Sequence, residues 1–78
     1  IINSFSIYPN PTNNVWTVFS KNQTINSIAV YNVLGKRVIS LQPNALSATI
    51  DASNLASGIY FTNINTASGI VSKKLIKN

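Results

Sequence analysis

Histidine, cysteine, methionine and glutamate are absent from this 78-residue chain, and Asp51 is its only carboxylate side chain. General acid–base chemistry draws mostly on His, Asp, Glu or Cys with a tuned pKa, so most catalytic designs are closed to it. A carboxylate pair for glycoside cleavage and a Ser-His-Asp relay are both impossible. Zinc needs several thiolate, imidazole or carboxylate ligands, and one carboxylate does not make a set. A serine–lysine pair is formally available among ten serines and five lysines. At this composition such a pair arises by chance, and the chain is read as non-catalytic, with no cofactor and no metal. Without cysteine there are no disulfide staples, and a domain this small must stand on its core and its backbone ladders. A missing cysteine does not fix the compartment.

Long apolar runs are lacking too. The longest, Ile28-Ala29-Val30-Tyr31, has four residues, against about 20 for a bilayer-spanning helix. No transmembrane segment is expected. The first residues, Ile1-Ile2-Asn3, carry no methionine, basic stretch or apolar stretch, so they do not read as a signal peptide. They suggest a piece of a longer, processed protein.

What remains is basic but sparsely charged. Six Lys and Arg against one acid give a net charge of +5, which favours anionic partners such as nucleic acid, phospholipid or lipopolysaccharide. Only 9% of residues are charged, against about 25% in typical globular domains. No nucleic-acid-binding motif is present, so nucleic acid is not expected as a partner. Twelve asparagines, ten serines and six threonines supply the polar surface, a composition that suits strand faces and tight turns.

The apolar residues fall in short segments divided by turn formers. Ser4–Tyr8 alternates, with Phe5 and Ile7 on one face, and stops at Pro9-Asn10-Pro11, where two prolines lack donors. Val15–Ser20, rich in β-branched and aromatic residues, sets Trp16 and Val18 opposite Val15, Thr17 and Phe19. Ile25–Val33 and Lys36–Gln42 flank a hairpin turn at Leu34-Gly35-Lys36, in which Gly35 supplies a positive φ. Leu46–Asp51, Gly58–Asn65 and Ile70–Lys77 complete about seven strands. No segment sustains helical spacing. The expectation is an all-β, immunoglobulin-like Greek-key sandwich of short antiparallel strands, forming one domain over 1–78. Its expected core includes Trp16, Val18, Ile28, Val30, Ile50, Leu55 and Ile59.

Four constellations stand out. In Leu55-x-x-Gly58-x-Tyr60, a leucine and a glycine precede a tyrosine at a strand start. This resembles the tyrosine corner of immunoglobulin-like sandwiches, where the phenol bonds back to upstream backbone. Asp51, ahead of Ala52-Ser53-Asn54, is placed to organise its turn through backbone N–H groups. Trp16, Phe19 and Tyr31 could form a stacking platform, although core filling is the simpler role. Lys73, Lys74 and Lys77 lie in the last six positions. Period-2 alternation puts Lys73, Leu75 and Lys77 on one face and Lys74 and Ile76 on the other. Lysines on a final strand protect an open edge from aggregation. Whether Lys36 and Arg37 join them in one basic patch is not readable from sequence.

Taken in order, Ser6-Ile7-Tyr8-Pro9-Asn10-Pro11-Thr12, Val30–Val38 with Gly35, Ile50–Phe61 with Asp51, Leu55, Gly58 and Tyr60, and Lys73-Lys74-Leu75-Ile76-Lys77 resemble the C-terminal sorting domain of type IX secretion cargo in Bacteroidetes-type bacteria. The resemblance covers essentially the whole chain. It implies a non-catalytic sandwich within a larger secreted precursor, carrying an upstream cargo from periplasm to cell surface or medium. It also implies outer-membrane machinery, a shuttle protein and a surface sortase as partners. The terminal strand Ile70–Lys77 is expected to be the part that machinery reads, through Lys73, Lys74, Leu75, Ile76 and Lys77 and through an open backbone edge. The rival reading is an extracellular carbohydrate-binding or adhesive sandwich, which three aromatics on one exposed face would favour.

Overall fold

In the computed structural model, residues 5–78 are described, and they form seven strands with no helix. Strands β1 (Phe5–Tyr8), β2 (Val15–Ser20) and β5 (Ser47–Asp51) make one sheet in the order β1-β2-β5. Strands β3 (Ser27–Tyr31), β4 (Arg37–Leu41), β6 (Gly58–Thr66) and β7 (Gly69–Lys77) make the other, in the order β4-β3-β6-β7. Every pairing between strands is antiparallel. The chain crosses from one sheet to the other after β2, β4 and β5, which is an immunoglobulin-like arrangement.

Period 2 decides what is buried. Trp16 and Val18 of β2 point between the sheets beside Ile50 of β5, and Ile28 and Val30 of β3 face them with Tyr60 and Ile64 of β6 and Leu75 of β7. Ile25 and Ala52 close the ends of this core. The expected strands are therefore all present, several of them trimmed by a residue or two. Two core assignments need correction. Ile59 is 43% exposed, because the inward positions of β6 are Tyr60, Thr62, Ile64 and Thr66 and Ile59 falls on the opposite face. Leu55 is only partly buried, packed against the core rather than within it.

The β3–β4 hairpin departs from simple alternation at a bulge between Val30 and Tyr31. One extra residue on β4 lets Val38, Ile39 and Leu41 all pack against the core. Its turn is closed by Asn32, whose Oδ1 accepts the N–H groups of Leu34 (2.9 Å) and Lys36 (3.0 Å). Gly35 sits there at φ +82°, a conformation that would strain a residue with a Cβ.

Buried polar groups are nearly all paired. Thr62 Oγ1 donates to the Ala29 carbonyl (3.0 Å) and Thr66 Oγ1 to the Gly69 carbonyl (3.1 Å). The indole N–H of Trp16 is the exception, finding no acceptor among the described residues. Its ring packs edge-on to Tyr60 with centroids 6.1 Å apart, and that packing offsets the cost of an unmet donor.

Three truncations separate these environments. Ile64→Ala should lower the unfolding free energy by about 2–5 kcal/mol, Leu55→Ala by clearly less, and Ile59→Ala by no more than about 0.5 kcal/mol. Urea titration of the three variants gives the order directly.

Candidate functional site

The first, third and fourth sequence motifs meet around β7, one of the two edge strands of the larger sheet. On one side β7 pairs with β6 along its full length, from Gly58↔Lys77 to Thr66↔Gly69. On the other side, the segment after β1 reaches it from more than sixty residues upstream. Asn10 Nδ2 donates to the Lys74 carbonyl (3.1 Å), and its Oδ1 accepts the Ile76 N–H (2.9 Å). Thr12 then donates its backbone N–H to the Ile76 carbonyl (3.0 Å) and accepts the Asn78 N–H (2.8 Å). Pro9 and Pro11, both following cis peptide bonds, bracket Asn10 and require no donors of their own here. The Thr12 side chain is buried and ties the segment to the start of β2, donating to the Val15 carbonyl at 2.5 Å.

The edge is therefore divided. From Lys74 to Asn78 it is covered by the Asn10–Thr12 strap. From Gly69 to Lys73 no strand pairs with it among the described residues. An edge open along all of β7, expected from sequence, is corrected for its second half.

A second clasp comes from the β5–β6 connection. The carboxylate of Asp51 accepts the Ser53 hydroxyl (2.6 Å) and the Ser53 N–H (3.0 Å), so the lone acid organises its own turn. These bonds, the hydroxyl one above all, hold its carboxyl below the ordinary value of 3.8. Ala52 donates to the Asn14 carbonyl (2.8 Å) and Leu55 to the Ala52 carbonyl (3.0 Å). Two successive carbonyls of the connection are then taken from the larger sheet. The Tyr60 hydroxyl donates to the Ala56 carbonyl (2.7 Å) and the Lys77 ammonium to the Leu55 carbonyl (2.9 Å). The first is the tyrosine corner foreseen from Leu55-x-x-Gly58-x-Tyr60, and Gly58, at φ +149°, starts the strand. The second was not legible. Lys77 is 8% exposed, so it is not a solvated edge residue.

The five residues expected as a signal thus divide by burial. Leu75 and Lys77 are buried, Lys73 and Ile76 are half-buried, and Lys74 is exposed. The aromatic platform is not assembled. Trp16 is in the core, Phe19 faces solvent on the smaller sheet, and Tyr31 lies on the larger one. Among the described residues no group of three or more His, Cys, Asp or Glu could hold a metal, and no helix is long and apolar enough to cross a membrane.

The geometry is that of an antiparallel sandwich whose last strand is clasped from two sides. The family model of the secretion system C-terminal sorting domain matches residues 6–78, and the chain belongs to that family, the sorting domain of type IX secretion. A search of curated proteins returns no match.

The clasps predict a ranking. Lys77→Met should cost about 1–2 kcal/mol, because a nearly buried charged donor is lost, and Tyr60→Phe about 1 kcal/mol. Lys74→Gln should be close to neutral, since its side chain is exposed. Thermal melts read the order. Asp51 has a depressed pKa in the fold, so its contribution is present above the unfolded value and lost as pH falls through the folded one. The melting gap between the native chain and Asp51→Ala should therefore be widest near neutrality and narrow below the ordinary carboxylate value.

Proposed function

We propose that this domain is the address of a larger secreted precursor, read by outer-membrane machinery that carries the upstream cargo to the cell surface or medium. A shuttle protein and a surface sortase that removes the domain complete the route. The domain performs no chemistry itself. The observation that carries this reading is the family match across residues 6–78, and the side-chain inventory, with one carboxylate and no imidazole or thiol, accords with it.

Within the signal, burial suggests a division of labour. Leu75 and Lys77 hold β7 in place, Lys73 stands half-buried on their side of the strand beside the open edge, and Lys74 and Ile76 present side chains outward to a partner. The open backbone edge of Gly69–Lys73 adds the kind of surface that strand addition recognises. Truncating Lys73–Asn78 is a poor test of this idea. It removes a fully buried leucine, both clasps and half the β6–β7 ladder, and would unfold the domain. Neutralising only Lys73 and Lys74 leaves all of these in place.

The test is a reporter fused ahead of the domain in a bacterium with the type IX system. The intact fusion should reach the surface, and the reporter lacking the domain should stay in the periplasm. Lys73→Gln with Lys74→Gln should retain the fusion with an unchanged melting point. Equal surface display with and without the domain would overturn the sorting role. Unimpaired display of the doubly neutralised form would overturn the lysines as its readable part.

A further inference from the structure

The pairing register answers a question the sequence left open, namely whether the basic residues of the hairpin and of the last strand lie together. Arg37 pairs with Tyr31, Tyr31 with Phe61, and Phe61 with Lys74. These four residues form one row across all four strands on the sheet's outer face, since their neighbours Val30, Tyr60 and Leu75 point into the core. At about 4.8 Å between strands, the Cα atoms of Arg37 and Lys74 lie roughly 14 Å apart, with Tyr31 and Phe61 between them in the row.

Beside that row the surface is apolar. Phe61 is 46% exposed, Ile59 43%, Val33 68% and Leu34 88%. Val33 and Leu34 of the β3–β4 turn and Gly58–Tyr60 at the start of β6 line a groove of about 440 Å³. Three large exposed hydrophobes around one concavity, with Phe61 in the adjoining row, are not the scattered exposure that needs no explanation. Nor is it incidental to folding, because none of the four belongs to the buried core.

We infer that this face, the groove between Val33, Leu34 and Ile59 with its flanking Arg37–Tyr31–Phe61–Lys74 row, is the surface by which the domain docks to an acidic protein surface that offers an apolar side chain to the groove. The inference rests on the sorting-domain reading and names the chemistry of the partner within it. Charge complementarity fixes the sign. Arg37 and Lys74 frame the row and Lys36 adjoins it, while the chain's one carboxylate is on β5 in the other sheet, bonded to Ser53. No acid on this face opposes an acidic partner, and like charge would repel a basic one. The groove selects a protein over a flat lipid surface, since a concavity of this size accepts discrete side chains. Its lining is mainly apolar, and of its polar side chains the Asn32 amide oxygen and the Tyr60 hydroxyl are already bonded within the chain, leaving Ser57, which disfavours a sugar.

The test uses the reporter fusion in cells with the type IX system. Leu34→Glu, Arg37→Glu and the two combined are compared with Phe19→Glu, a similarly exposed aromatic on the opposite sheet (44%). Leu34→Glu and Arg37→Glu should each reduce surface display several-fold, and the pair by tenfold or more. Phe19→Glu should be displayed normally, and all four should melt like the parent. A benzophenone crosslinker replacing Leu34 should capture a protein through an acidic segment, and the adduct should disappear in Arg37→Glu. Normal display of the Leu34 and Arg37 variants, with the domain-deleted reporter still retained, overturns the docking face and leaves the sorting role standing. Display without the domain overturns both. Adducts with lipopolysaccharide or phospholipid alone, or none that depend on Arg37, overturn the protein partner.

Discussion

The structure depends on how the last strand is held. A sheet's outermost strand has partners on one side only, and in a domain with a small core it is the first element to fray. Here β7 carries Leu75 into the core, so fraying would open the core itself. Two distant segments prevent it. Asn10 and Thr12 satisfy the outer backbone groups of Lys74, Ile76 and Asn78, and the Leu55 carbonyl anchors the Lys77 ammonium. Each contact is worth little alone. Together they tie the beginning, the β5–β6 connection and the end of the chain into one cooperative unit.

That closure has a consequence for a sorting signal. The contacts that complete β7 span sequence separations of 22, 64 and 66 residues, so the strand takes its final form only when the rest of the sandwich has formed. Topologies of this kind fold slowly, because long loops must close before their contacts reward them. The last strand is therefore a product of the folded domain and not a loose tail.

Much of this was legible beforehand, and the limits have physical causes. Strand positions followed from alternation and from breakers such as Pro9, Gly35 and Gly58, because these act locally. The tyrosine corner was readable because Leu55, Gly58 and Tyr60 lie within six residues. Asp51 was readable because an aspartate bonds its own turn whatever the tertiary setting. Ile59 was misplaced by one residue of register, which in a strand exchanges core for solvent. Lys77 was read as a solvated edge residue because lysines usually are; nothing in the sequence indicated a carbonyl of the Leu55 connection beside its ammonium. The strap across β7 was equally hidden, since Pro-Asn-Pro announces a rigid break but not what it lies against. Contacts that join one sheet's segments to the other's were the ones that escaped.

The alternation that builds the sandwich also bounds what the signal can contain. Along β7, Val71, Leu75 and Lys77 are committed to the interior or to a clasp, and the outer edge after Lys73 is occupied by the strap. Recognition is left with the outward side chains and the short open edge. Of the outward positions, Ile70 and Ser72 lie at the end near the β6–β7 turn, while Lys74 and Ile76 lie beside Phe61 and Ile59. The second pair is continuous with the hairpin residues Arg37 and Tyr31 through the four-strand row. A partner that reads side chains on that part of the sheet would therefore meet, beyond β7, residues nearly forty positions upstream. A linear motif at the end of the chain would then be the visible part of a surface whose other half is written in the β3–β4 hairpin.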